Sequence, residues 1–298
     1  MFFLKNKYLK FIKKQETSGN NFRDKFNQLN DYLLPACFEI FKFQKFKKKT
    51  VVVSLSGGQG AGKSTLAKIF QIILSTIYKL KVVNISIDDF YKTSNERKKM
   101  SKFTHPLFMT RGVPGTHDSK MLYKVIKKLK DKKFKKLTIP KFDKSKDDRF
   151  KQNFWQKITK KPDIVIFEGW CVGAKPQKKK DLIKSINLLE KRDDIKLTWR
   201  KKVNNELMIN YKKIFKLIDY KIYIKVPSFK HVFRWRLLQE KKLSLKSKNK
   251  SVMKTNEVKR FIMFYERITK DMMKNFKDNN IIIYLSNNHK IKSINIHD

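Results

Sequence analysis

An α/β fold, with a five-stranded, mainly parallel sheet and helices on both faces, is what three features of this sequence predict. Short apolar runs of strand length alternate with stretches of helical periodicity, a pattern that implies right-handed crossovers between parallel strands. A glycine-rich segment, Gly57-Gly58-Gln59-Gly60-Ala61-Gly62-Lys63-Ser64-Thr65, joins the first run to the first amphipathic stretch. The chain has 298 residues and 40% hydrophobic composition, enough for one sizeable core with an inserted lid.

Residues 1–48 read as helices, with Phe38, Ile40, Phe41 and Phe43 among their apolar positions and no site chemistry. They are expected to form a helical extension packed on a domain that spans 49–298. Val51-Val52-Val53-Ser54-Leu55-Ser56 is the first strand, a run of the kind that is buried. The glycine-rich segment after it fits G-x-x-x-x-G-K-[ST], in which backbone N–H groups close around phosphate oxygens. In that pattern the lysine reaches the outer phosphates and the hydroxyl ligates Mg²⁺. From Leu66 to Tyr78 apolar residues recur at helical spacing, so a helix starting near Lys63 would aim its positive end at the phosphates. Lys81–Ile87 is the second strand and runs into Asp88-Asp89-Phe90-Tyr91. Asp163–Phe167 is the third and runs into Glu168. Tyr220–Val226 is the fourth, stopped by Pro227, and Ile281–Leu285 the fifth.

Composition sharpens these assignments. Of 72 Lys+Arg only ten are Arg, and there are four Ala, a usage that suggests a genome drifted toward A and T. Residues that resist the drift are therefore informative. Eight of the nine glycines fall in the phosphate loop, in Arg111-Gly-Val-Pro-Gly-Thr-His-Asp118 and in Glu168-Gly-Trp-Cys-Val-Gly173; Gly19 is the exception. The net charge of +46 comes from dispersed lysines. It reads as a solvated surface that holds polyanions at low salt, not as a specific nucleic-acid site. Cys37 and Cys171 supply no disulfide framework or metal cluster, which suits a reducing compartment. No run of about 18 apolar residues occurs. The start, Met1-Phe-Phe-Leu-Lys-Asn-Lys, is too short in apolar core for a secretory signal. A cytoplasmic setting with no membrane partner is expected.

Parallel strands would bring the phosphate loop, Asp88 and Asp89, and Glu168 to one carboxyl edge, where open α/β sheets bind ligands. Three acidic groups beside a triphosphate suit phosphoryl transfer to a hydroxyl. On this reading Gly57–Thr65 hold ATP, Ser64 ligates Mg²⁺ directly and Glu168 holds the ion or its waters. Lys63 neutralises the outer phosphates. Asp88 orients the acceptor hydroxyl and takes its proton. Asp163, five strand steps away, would lie about 16 Å off at the opposite edge. Asp88-Asp89 would also suit a solvated turn or a helix N-cap.

Taken together, the phosphate loop, Ser86-Ile-Asp-Asp-Phe-Tyr91, Arg111-Gly-Val-Pro-Gly-Thr-His-Asp118, Pro140-Lys-Phe-Asp-Lys-Ser145 and Phe167-Glu-Gly-Trp170 resemble the D-glycerate 3-kinase family. This is a branch of the P-loop kinases that also holds uridine kinase, phosphoribulokinase and bacterial pantothenate kinase. The resemblance continues through Trp199-Arg200, Asn204-Asn205, Phe229–Leu238 and Glu257–Met272. It implies a P-loop kinase fold, an acceptor-binding segment at about 88–150 and a lid at about 228–255. It implies ATP and Mg²⁺, a small hydroxy acid as substrate, and an acceptor-side role for Asp88. Uridine-like or pantothenate-like acceptors, or a P-loop ATPase that binds nucleic acid, are the alternatives. The chain departs from the plant pattern where Arg149 follows a shortened Lys144-Ser-Lys-Asp-Asp segment.

Arg111, Arg149, Arg234 and Arg236 stand out in a lysine-saturated chain, because a planar fork grips carboxylate or phosphate at two points. Asp89, Tyr91, Arg111, His117, Lys144 and Arg149 are expected at the substrate. Arg236 resembles a lid arginine that stabilises the transferring phosphoryl group. Arg111 would equally brace a loop through a salt bridge, Arg236 sit on ordinary helix surface and His117 bond a turn. Trp170 and Cys171 are expected to pack beside the site, and Ser286-Asn287-Asn288 to contact adenine.

Overall fold

The structure, a computed structural model, describes residues 2–16, 24–246 and 253–297, with backbone alone at 242–246. Its strands are β1 (Val51–Gly57), β2 (Val82–Ser86), β3 (Leu137–Ile139), β4 (Phe142–Asp143), β5 (Asp148–Arg149), β6 (Gln156–Ile158), β7 (Ile164–Gly169), β8 (Tyr220–Lys225), β9 (Ile281–Leu285) and β10 (Ile291–Ile296). Six of them form the main sheet in the order β10-β9-β8-β1-β7-β2. The five strands expected from the sequence are all parallel; β10 adds a sixth, antiparallel, at the edge beside β9.

The central strands are buried on both faces because their residues are apolar at both parities. Val51, Val53 and Leu55 face one layer, which contains helix Lys63–Thr76 and the helices Phe2–Gln15 and Leu34–Lys47 of the N-terminal segment. Leu4, Tyr8, Ile12 and Ile40 join that same cluster. Val52, Val165, Phe167 and Tyr223 face the other layer, with helix Ser119–Lys130 and much of helix Thr255–Lys274. Each fully buried Val, Leu, Ile or Phe side chain contributes roughly 1.5–3 kcal/mol of transfer free energy, so the layers dominate the stability.

Register then assembles the site. Leu55 of β1 and Ser86 of β2 both stand opposite Glu168 of β7, so three strand ends meet at one edge. Asp163 is at the other edge, where its carboxylate accepts from the Lys81 N–H at 2.7 Å. Between β2 and β7 the chain makes two small antiparallel ribbons, β3–β6 and β4–β5, and the helices Ser94–Phe103 and Ser119–Lys130. The helix Phe229–Lys246 fills most of the expected lid segment, of which residues 247–252 lie outside the described residues. Residues 1 and 17–23 of the N-terminal segment, Gly19 included, also lie outside them.

The outer edge of β10 meets the N-terminal segment. The Gln28 amide donates to the Ile291 carbonyl at 3.0 Å and accepts from the Ile291 N–H at 2.7 Å, and the Tyr32 hydroxyl donates to the Lys292 carbonyl at 3.1 Å. Among the described residues no helix is long and apolar enough to cross a membrane.

Candidate active site

The strand β1 ends in a loop whose backbone only glycine can follow at its tightest point. Gly60 has φ +78°, and a Cβ there would sit 2.8 Å from the Trp235 Cβ of the helix Phe229–Lys246. The helix Lys63–Thr76 then begins at Gly62 with no side-chain cap, so its first N–H groups are open to a ligand. Gln59, Gly60, Gly62, Lys63, Ser64 and Thr65 line a cavity of about 240 Å³ at the carboxyl edge of the sheet. Gly57, Gly58 and Ala61 lie behind it; the Gly57 and Gly58 carbonyls accept from the Lys63 ammonium at 3.0 and 2.9 Å.

The cavity continues past Ser86, Asp88, Tyr91, Arg111, Lys144 and Glu168 to Arg236 and Tyr265. The Ser64 hydroxyl donates to the Glu168 carboxylate at 2.8 Å. Burial raises the Glu168 pKa, opposed by the Lys63 charge, and burial lowers that of Lys63, opposed by Glu168 and Asp88. Asp88 behaves in the opposite way. Burial pushes its pKa up, but the Lys144 ammonium at 2.7 Å and the Tyr91 hydroxyl at 2.8 Å outweigh burial and hold the carboxyl well below the usual range.

Two oxygens from Ser64 and Glu168, hard donors at hydrogen-bond distance, fit one small divalent ion that completes its shell with phosphate and water. Among the described residues no group of three or more His, Cys, Asp or Glu could hold a metal by itself. Both amide atoms of Gln59 are buried without a hydrogen-bond partner among the described residues, which fits a loop shaped for a polar ligand.

Arg111 lines the cavity and also braces a loop. Its guanidinium pairs with Asp147 and lies 5.5 Å from the Phe142 ring centroid. Asp147, with φ 54°, also receives Arg97, which is 1% exposed and donates to Asp147 and to the Lys92 and Met109 carbonyls. The turn carrying Lys144 is thereby pinned to the helix Ser94–Phe103.

Asp89, His117 and Arg149, expected at the substrate, do not line the cavity. Asp89 points to β4 and its approach, accepting from Lys141 at 2.7 Å and the Phe142 N–H at 3.3 Å. Arg149 donates to the Tyr91 carbonyl at 2.8 Å and to Asp118 at 3.3 Å, so its fork is spent bracing the acceptor segment. His117 stacks on Tyr91 at 4.6 Å and bonds the Tyr211 hydroxyl at 2.5 Å; burial lowers its pKa to about 4, leaving it neutral.

Trp170 borders the cavity, its indole donating to the Gly112 carbonyl at 2.9 Å, and Cys171 is wholly buried. Ser286, Asn287 and Asn288 are outside the lining. Their turn instead carries His289, which stacks on Trp235 at 3.6 Å and bonds the Gly60 carbonyl at 2.7 Å. Arg234 is exposed. Arg236 lines the cavity from the helix Phe229–Lys246. Phe261, Gln239 and Tyr265 line it too, and residue type gave no sign of them. Tyr265 reaches the site because Gly112 has no side chain: a Cβ there would lie 2.0 Å from the tyrosine oxygen, whose O–H donates to the Arg111 carbonyl at 3.1 Å.

Residues 52–204 match the phosphoribulokinase/uridine kinase family. An uncharacterised kinase of Schizosaccharomyces pombe is 34% identical over 232 residues, 75% of this chain and 81% of that protein. The chloroplastic D-glycerate 3-kinase of Arabidopsis thaliana is 30% identical over 223 residues, 72% of this chain but 46% of the plant protein. The fold is similar to that of D-glycerate 3-kinase from Cryptococcus neoformans, with a TM-score of 0.75 and 22% identity over 89% of this chain and 99% of that one.

Proposed function

Since the chain belongs to the phosphoribulokinase/uridine kinase family of P-loop kinases, we propose that it transfers the γ-phosphoryl group of ATP to the terminal hydroxyl of D-glycerate, giving 3-phosphoglycerate. The observation that carries this reading is one cavity lined by Lys63 and Ser64 of the phosphate loop together with Asp88, Arg111 and Lys144. The relative named as a D-glycerate 3-kinase supports the choice of acid.

The chemistry follows from the charges. The bond from the γ-phosphorus to the bridging oxygen breaks, and one to the acceptor oxygen forms. Lys63 lies beside the phosphates and offsets charge that grows on their oxygens in the transition state. Ser64 and Glu168 would hold Mg²⁺, which when bound neutralises phosphate charge. Asp88 accepts a hydrogen bond from the acceptor hydroxyl and takes its proton as the new bond forms. Its low pKa suits it to orienting that hydroxyl, with the proton moving late. Arg111 and Lys144 take the carboxylate, and this clamp presents the far hydroxyl and not the one beside the carboxylate. The two cysteines are buried free thiols, which suits the cytoplasmic setting proposed for the reaction.

The test is to incubate the protein with Mg²⁺-ATP and D-glycerate and to couple the product to enzymes that accept only the 3-phosphate or only the 2-phosphate. Signal in the first assay is expected. Signal in the second alone would refute the clamp, and activity on pantothenate or uridine instead would move the acceptor.

A further inference from the structure

Arg236 and Glu240 stand four residues apart on helix Phe229–Lys246, a spacing that puts them on one face. They form an ion pair at 2.5 Å, with side chains 20% and 7% exposed. On a solvated helix such a pair would contribute little. Here the carboxylate is buried, so its lost hydration has to be matched by fixed partners. The other Glu240 oxygen has one, accepting from the Met253 N–H at 3.2 Å, just before the helix Thr255–Lys274 begins. That second helix supplies Phe261, whose ring centroid lies 5.1 Å from the Arg236 guanidinium.

The guanidinium is thus held on three sides. One terminal nitrogen is paired with Glu240, the other donates to Gln239 at 3.1 Å, and the plane is set against Phe261. The Nε–H, though buried, has no acceptor among the described residues. Arg236 borders the cavity that holds Lys63 and Ser64, and Glu240 does not.

We propose that Glu240 is a positioning residue, which fixes Arg236 so that its guanidinium, at the border of the cavity, meets the phosphoryl group during transfer. The inference rests on the kinase reading above. A fork held in place before the reaction has no rotamer entropy left to lose at the transition state, so the benefit falls on kcat more than on KM.

The experiment is a double-mutant cycle of Arg236→Ala and Glu240→Gln with Mg²⁺-ATP and D-glycerate. Glu240→Gln should lower kcat about 10- to 100-fold with both KM values within about threefold, and should change nothing further in the Arg236→Ala background. Additive losses, or wild-type kcat in Glu240→Gln, would overturn the proposal. Should Glu240→Gln not fold, Arg236→Lys keeps the charge and loses the fork; undiminished kcat there would equally overturn it. A wild-type protein that phosphorylates no hydroxyl acceptor, uridine and pantothenate included, would overturn the kinase reading instead. The cycle is then read as the rate of Mg²⁺-ATP hydrolysis, where Glu240→Gln must lower the rate in the wild-type background alone, and equal lowering in both backgrounds sinks the proposal.

Discussion

Two carboxylates in one cavity are pushed in opposite directions, and that difference sets what each can do. Lys144 and Tyr91 keep Asp88 ionised through the neutral range despite its burial, whereas burial makes Glu168 easier to protonate than an ordinary glutamate. As pH falls, Glu168 therefore takes up its proton first and loses its grip on a cation, while Asp88 is still charged. The acid limb of the kcat/KM profile, which reports the free enzyme, is expected to belong to Glu168 and to lie above the ordinary glutamate range. In Asp88→Asn, whose kcat is lower by roughly 10² or more, the limb should persist but move to lower pH, because the Asp88 charge helps to raise the Glu168 pKa. A limb that vanishes with Asp88 would show that the charges are assigned the wrong way round. His117, neutral above about 4, contributes no limb near pH 7. Lys63→Ala should abolish turnover without loss of fold as judged by circular dichroism, because the ammonium contacts loop carbonyls and no core side chain.

At the scale of elements, the turn that carries Lys144 depends on a buried arginine outside the cavity lining. Arg97 satisfies the Lys92 and Met109 carbonyls and Asp147 together, and Asp147 passes the restraint to Arg111. Arg97→Met should cost about 2–3 kcal/mol in urea unfolding, since the half-exposed Asp147 carboxylate regains water but the Lys92, Met109 and Asp147 carbonyls lose their donor. It should also raise KM for the acid more than for ATP. The sequence reading found Arg111 and passed over Arg97, because residue type cannot say which arginine the chain folds inward. The same limit explains Arg149, His117 and Asp89: each has site chemistry, but neighbours distant in sequence, Asp118, Tyr211 and Lys141, turn it aside. By contrast, the phosphate loop, Asp88 and Glu168 were legible, since strand ends in a parallel sheet converge whatever the loops between them do. The strand β10 was not. Its Ile-Lys-Ser-Ile-Asn-Ile run is half polar and partly exposed, too weak a pattern to separate from a tail. Tyr265 and Phe261 had only the helical apolar stripe they share with core residues, and nothing local marks which part of that stripe meets the cavity.

For the whole molecule, the charge of +46 sets the behaviour toward polyanions. Duplex DNA or RNA should bind without sequence preference, and the binding should collapse between about 50 and 200 mM salt in a filter or anisotropy titration. Salt-resistant, sequence-selective binding that stimulates ATP turnover would favour a nucleic-acid-dependent ATPase over the kinase. The other property of the whole is how its sheet ends. A sheet edge with free N–H and C=O groups invites a second chain to add itself. Gln28 answers this with a single side chain: its amide reproduces, at Ile291, the donor and acceptor that one peptide unit of a neighbouring strand would offer. At Ile291 the N-terminal segment is therefore expected to block the addition of a second chain, independently of catalysis. Gln28→Ala should leave kcat untouched while its light-scattering mass climbs with concentration faster than that of the wild type.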